Sequence, residues 1–252
     1  MSAIQQTCVR LREMRLGTMA EAYERQLEQP KLHQIGFDER FGMLVESEAS
    51  GRQTRKLKRL IASAGFPEQA SLEDVDLRPG RGLDKNVIAS LATCEWIKRH
   101  QNVILAGATG VGKSWLACAL GQQACRQGLS TAFYRVIDLC DAVHEGMADG
   151  SLPTLKTRLM NVDLLILDDL GIGKVSQDLA QTLLQVEDRR MRTGSLIITS
   201  QFPVEKWHGL FPDATVADAI LDRVVHVAHP IHLKGESMRK VRARADPEKR
   251  SA

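Results

Sequence analysis

No apolar run in this chain approaches the roughly 20 residues that a helix needs to cross a membrane. The N-terminal stretch "MSAIQQTCVRLREMRLG" lacks the apolar core of a secretory signal, so a soluble, cytoplasmic protein is expected. Cysteine is scarce: Cys8, Cys94, Cys118, Cys125 and Cys140 form no CxxC pair and no Cys/His cluster at zinc-ligand spacing, and their number is odd. That argues against a disulfide framework or zinc site and for small thiols in a reducing compartment. Excess charge is scarce too. A net charge of +3 is too small to indicate a nucleic-acid partner, so only local clusters can do so. No internal repeat is visible.

What is present is enough apolar sequence, 43% of 252 residues, to build one ordinary domain and a smaller one. Residues 1–70 read as helical, with leucine, methionine and alanine spaced among charges. Residues 71–85, containing "SLEDVDLRPGRGLD", are acidic and then turn-rich, and read as a linker. Over 86–240 the texture becomes strand-like: "NVILAG", "STAFYRV", "VDLLILDD", "SLIITSQ" and "HPIHLKG" alternate with helical patterns. Strands alternating with helices predict an α/β fold with a mostly parallel five-stranded sheet covered on both faces. Residues 241–252 are charged, lack an apolar face and are expected to form a flexible basic tail.

The sharpest motif is "GATGVGKS", residues 107–114, which matches G-x-x-x-x-G-K-[ST] between a strand and a helix. Its glycines let backbone N–H groups turn toward a phosphate, and the helix N-terminus adds a positive dipole end. Lys113 supplies a point charge for the β- and γ-phosphates, and the Ser114 hydroxyl suits Mg²⁺. The expected ATP-binding residues are Gly107, Ala108, Thr109, Gly110, Val111, Gly112, Lys113, Ser114 and Trp115, with Arg239 in "KGESMRK" as a further candidate. Arg239 also fits a DNA phosphate contact or the start of the basic tail.

"LLILDDLG" places two aspartates at the end of an apolar strand. Asp168 fits the metal, which would offset the cost of a carboxylate pair near a sheet core. Asp169 has two readings: it orients the attacking water, or it caps the following turn. Thr199 and Ser200, ending "LIITS", fit either a γ-phosphate sensor or a turn before Pro203. Arg223 fits a finger reaching a neighbouring subunit's ATP or a surface pair with Asp222. The catalytic candidates are therefore Lys113, Asp169, Arg223, Thr199 and Ser200.

"GRQTRKLKRLIASAG" concentrates Arg52, Arg55, Lys56, Lys58 and Arg59 on a short amphipathic helix. Such a cluster fits sequence-tolerant phosphate binding or a solvated face balanced by Glu46 and Glu48. It has no aromatic residue, which argues against base stacking. Lys156 and Arg158 are weaker DNA-binding candidates.

Together, "LREMRLGTMAEAYERQLEQP", "NVILAGATGVGKSWLACALG", "LLILDDLG" and the long "IITSQFPVEKWHGLFPDATVADAILDRVVHVAHPIHLKGESMRK" resemble the IstB-like ATP-binding proteins. These are helper ATPases of insertion-sequence transposition, kin to DnaC helicase loaders and DnaA initiators. The resemblance covers nearly the whole chain. It implies an AAA+ core behind a small all-α N-terminal domain, ATP and Mg²⁺ as cofactors, and a homo-oligomer on double-stranded DNA. ATP would be shared between subunits, with Arg223 acting in trans, and a separate transposase would be recruited and stimulated. The N-terminal domain would contribute DNA or transposase contacts. A DnaC-type helicase loader, a non-hydrolysing ATP-dependent scaffold and a small-molecule kinase are the rival readings. The last lacks an arginine-rich lid between the third and fifth strands.

Overall fold

The computed structural model describes residues 2–238, apart from the side chains of Pro30 and His33. Arg239 and the tail expected at 241–252 lie outside the described residues. The chain divides into two compact units, Met1–Arg59 and Leu60 onward.

In the first unit, α1 (Ala3–Glu13) begins at a reciprocal cap. Ser2 Oγ accepts from the Gln5 N–H at 3.3 Å, and Gln5 Oε1 accepts from the Ser2 N–H at 2.9 Å. Helix α2 (Gly17–Glu28) follows. The long α3 (Phe37–Ala64) runs past the division between the units. The unit's apolar interior is small, built from residues such as Cys8, Ala20, Ala22 and Leu44. A buried carboxylate supplements it: Glu48 on α3 accepts from the Met19 N–H at 3.0 Å and from Arg52 and Arg55.

The second unit opens with α4 (Lys85–Ala92), capped by Asp84, and the short α5 (Glu95–Lys98). There follow β1 (Asn102–Gly107), α6 (Lys113–Arg126), β2 (Thr131–Arg135), α7 (Val136–Asp149) and α8 (Leu152–Asn161). Then come β3 (Leu164–Leu170), α9 (Gln177–Arg190), β4 (Ser195–Ser200), α10 (Ala214–Val225) and β5 (Ala228–Leu233). The five strands expected from the apolar runs all form. They pair parallel throughout, in the order β2-β3-β4-β1-β5.

Alternating side chains split each inner strand between two cores. Val103, Leu105, Leu164, Ile166 and Ile197 pack with α6 on one face. Ile104, Leu165, Leu167, Leu196 and Ile198 pack with α7, α9 and α10 on the other, together with the fully buried Trp207. The segment read as a linker, 71–85, lies against this unit: Leu72, Val75 and Leu83 pack on the first core. Cys94, Cys118 and Cys125 are buried free thiols, and burial pushes Cys94 up to about 11 and Cys118 to about 12. No helix among the described residues is long and apolar enough to cross a membrane.

Candidate nucleotide-binding site

The inner strand β1 ends at Gly107, and the loop 107–112 crosses the carboxyl edge of the sheet, where open parallel sheets bind ligands. Gly107, at φ 153°, and Gly110, at φ 84°, allow the close approach this loop needs. A Cβ on Gly107 would stand 2.3 Å from the Leu233 carbonyl, and one on Gly110 would stand 2.4 Å from Ser237 Oγ. The Met238 N–H donates to the Gly110 carbonyl at 2.8 Å. Gly112, left-handed at φ 98°, opens α6 and leaves its first N–H groups facing the loop.

Lys113 is buried. Its Nζ donates to the carbonyls of Gly107 (2.9 Å) and Ala108 (3.0 Å), closing a ring of backbone around a cation. Burial lowers its pKa, opposed by Asp169 and Asp168. A triphosphate arriving here meets a lysine that is already desolvated and aimed into the loop.

The two aspartates separate at a bulge. Leu167 pairs with Ile198 and Leu170 with Ser200, so Asp168 and Asp169 together oppose the single residue Thr199. The extra residue, Asp169, takes a left-handed backbone at φ 61°, a conformation aspartate tolerates better than most residues. Thr199 is fully buried and joins the pair. Its Oγ1 donates to Asp168 Oδ1 at 2.6 Å and accepts from the Asp169 N–H at 2.9 Å. Asp168 is buried at 2% exposure while Asp169 lines the cleft, so the bulge sends adjacent carboxylates to different tasks.

Burial pushes the Asp168 carboxyl up, opposed by the hydroxyls of Thr199 and Ser114. The neighbouring Asp169 pushes it further up. A buried carboxylate beside a second one, with a serine hydroxyl in reach, suits a divalent cation. Among the described residues, no group of three or more His, Cys, Asp or Glu could hold a metal unaided. One carboxylate plus a hydroxyl suits Mg²⁺ carried with substrate phosphates.

The hydroxyls of Thr199 and Ser200, read as a γ-phosphate sensor or a turn before Pro203, both have partners within the protein. The Thr199 hydroxyl is committed to the two aspartates. The fully buried Ser200 donates to the Leu170 carbonyl (2.7 Å) and accepts from the Phe202 N–H (3.1 Å). Just past the end of β4, Gln201 lines the cleft.

The cleft, about 260 Å³, is bordered by the loop, Lys113, Ser114, Trp115 and Asp169. Its other wall comes from Val75, Asp76, Arg81 and Leu83, residues the linker reading passed over. Arg81 donates to the Val111 carbonyl at 2.7 Å and to those of Lys234 and Glu236, and lies 3.6 Å from Asp76. Arg78, with Arg81 contributing, holds Asp76 down to about 2. The signal was the paired glycines of "RPGRGLD": a Cβ on Gly82 would stand 2.2 Å from the His232 carbonyl. Gly82 marks close packing, whereas Gly80, at φ 90°, has open space around it and serves the turn alone.

Arg223, on the last turn of α10, does not pair with Asp222, which instead meets His226 at 2.8 Å. Its Nη2 meets Asp188 on α9 at 2.7 Å, and Nη1 donates to the Ala219 carbonyl. Among the DNA-binding candidates, Arg52 and Arg55 hold Glu48, each at 3.0 Å, and Arg55 also donates to Thr18 Oγ1 at 2.6 Å. Lys56, Lys58 and Arg59 are exposed. Lys156 donates to Gln185 (2.8 Å). Arg158 donates to the Ser63 carbonyl (2.7 Å) and lies over the Tyr134 ring.

Comparison with known proteins agrees with this geometry. The family described as IstB-like ATP binding protein matches residues 9–246. The insertion sequence ATP-binding protein y4pL of Sinorhizobium fredii is 42% identical over 234 residues, covering 93% of this chain and 96% of that one. The insertion sequence IS1162 ATP-binding protein of Pseudomonas fluorescens is 44% identical over 200 residues, 79% of this chain and 87% of that one. In fold, the chain is similar to the DnaC helicase loader (TM-score 0.54, 17% identity, 66% of this chain and 97% of that one). It is likewise similar to AMPPCP-bound DnaA from Aquifex aeolicus (TM-score 0.58, 19% identity, 73% and 56%). With the family matched over residues 9–246 and a relative 42% identical over 93% of its length, this chain belongs to the IstB-like ATP-binding protein family.

Proposed function

We propose that this protein is an ATP-hydrolysing, DNA-binding regulator of transposition. It assembles as a multimer on double-stranded target DNA, with ATP shared between subunits, and recruits and stimulates a partner transposase. The observation that carries the ATPase part is the bulge at Asp168–Asp169, which buries one carboxylate beside Ser114 and turns the other into the cleft beside Lys113. Ser114 and Asp168 would hold Mg²⁺, which would neutralise charge on the β- and γ-phosphates.

Lys113 leaves its two carbonyls for the β- and γ-phosphates. The loop N–H groups and the start of α6 take up the remaining phosphate charge. Asp169 accepts a hydrogen bond from the attacking water and holds it in line with the γ-phosphate, and Gln201 reads the γ-phosphate from the neighbouring strand end. Arg223 acts on the ATP of an adjacent subunit. The insertion-sequence names of the relatives support the transposition reading over the helicase-loader reading, because the likeness to DnaC is one of fold.

The test is steady-state phosphate release with DNA present. Asp169→Asn is expected to lower kcat by about 100-fold or more, the scale of a lost general base, with ATP affinity kept within about three-fold. Equal rates for variant and wild type would refute the assignment of Asp169. In that case ATP would serve only to hold the assembly.

A further inference from the structure

Arg223 is held within its own subunit, and the residue holding it is badly placed for any other purpose. Asp188 lies two residues from the end of α9, where the exposed carbonyls of a helix C-terminus disfavour a carboxylate. Arg189 and Arg190, its neighbours in that turn, have the sign the helix end prefers. The unfavourable position of Asp188 is offset by the guanidinium of Arg223, 2.7 Å away on α10. The guanidinium is held at a second point as well: Nη1 donates to the Ala219 carbonyl one turn back, while Nε is buried without a partner. Its guanidinium therefore lies along α9 in a set rotamer instead of reaching into solvent.

We propose that Asp188 is a positioning residue for Arg223: it parks the guanidinium in the free subunit and yields it to the neighbouring subunit's nucleotide on assembly. The inference rests on Arg223 acting in trans, as proposed above. The balance of interactions favours such a hand-over. The side chain of Asp188 is 57% exposed, and ion pairs at such sites shift an equilibrium by at most about five-fold. A triphosphate offers a guanidinium more charge and bidentate geometry. The contact is strong enough to fix a rotamer and weak enough to release it.

The experiment measures phosphate release by the full chain as a function of its own concentration, with double-stranded DNA and MgATP. Asp188→Asn keeps the shape and removes the charge. It is expected to reach half-maximal rate at a protein concentration about two- to five-fold lower than wild type. Its melting temperature and its affinity for a fluorescent ATP analogue at low protein concentration should be unchanged. Asp188→Glu should behave as wild type, and Asp188→Ser replaces the asparagine variant if that one misfolds. In an Arg223→Ala background, Asp188→Asn should have no effect on the concentration dependence.

A half-maximal point that is unmoved or moved to higher concentration overturns the proposal. The control separates the two readings. If Arg223→Ala keeps the full rate, the in-trans role of Arg223 fails, and the parking role falls with it. If Arg223→Ala loses the rate while Asp188→Asn leaves the curve in place, only the parking role fails.

Discussion

Thr199 shows what a single hydroxyl contributes at this site. It satisfies a buried carboxylate and the N–H of the bulged residue at once, while the Ser114 hydroxyl is a second partner of Asp168. Replacing it by the isosteric valine removes the acceptor of the Asp169 N–H and one of the two hydroxyls on Asp168 without altering volume. Thr199→Val is expected to lower kcat by about ten-fold or more, with ATP affinity within about three-fold, while Thr199→Ser keeps most of the rate. Single-turnover phosphate release beside equilibrium nucleotide binding checks this. A serine variant as impaired as the valine one would show that the methyl group's packing, and not the hydroxyl, matters. Asp169 belongs to the same argument, since its left-handed backbone depends on the bond that Thr199 accepts.

At the scale of elements, α3 carries two kinds of basic residue that sequence spacing could not separate. Arg52 and Arg55 face Glu48. Burial pushes that carboxyl up, but hydrogen bonds from Arg52, the Met19 N–H and Arg55 hold it below the ordinary range. Lys56, Lys58 and Arg59 are the residues left for phosphates. Reversing those three to glutamate is expected to weaken DNA binding across sequences and to reduce the slope of log K against log salt by about 2 to 3. Fluorescence anisotropy at several salt concentrations measures it. Arg55→Ala should instead lower the melting temperature, because it removes a partner from Glu48. The α9–α10 pair makes a second prediction. Burial pushes Glu187 up to about 7 against the pull of Arg190 and Arg223. A carboxyl with a raised folded pKa costs nothing below the unfolded value of 4.5 and subtracts stability as pH rises from there to about 7. Glu187→Gln is therefore expected to melt above wild type at pH 8, with the difference shrinking toward pH 5. A lower melting point at pH 8 would mean that the ionised pair with Arg190 outweighs the burial.

For the whole molecule, the question is what ATP binding accomplishes. In the proposed mechanism one subunit would supply the phosphate loop and both aspartates, which lie together at the cleft. Arg223, the arginine proposed to act in trans, is tied to Asp188 on its own α9. A site divided in this way works when copies meet. Light scattering of the 27.9 kDa chain with DNA is expected to show a multimer with a non-hydrolysable ATP analogue and the monomer with ADP. Lys113→Ala should remain monomeric with either nucleotide. Assembly that ignores the nucleotide would contradict the reading.

The sequence by itself determined the five strands, the parallel α/β class, the phosphate loop and Asp168. These rest on local rules: continuous apolar runs for strands buried on both faces, and a glycine pattern that only a phosphate cradle requires. Tertiary structure alone decided how the remaining polar residues divide their work. Thr199 and Gln201 sit two apart, yet Thr199, opposite the bulge in β3, bridges the aspartates, and Gln201, just past the end of β4, lines the cleft. Residues 71–85 read as a linker because acidic and glycine-rich composition carries no period. They form a wall of the site because Arg81 finds its partners about 30 and 150 residues away. One of the two readings of Arg223 pairs it with its chain neighbour Asp222, yet its ion-pair partner, Asp188, lies on another helix. Hydrogen bonds and ion pairs depend on distance in space, and local sequence patterns carry no record of which distant segments the fold brings within 3 Å.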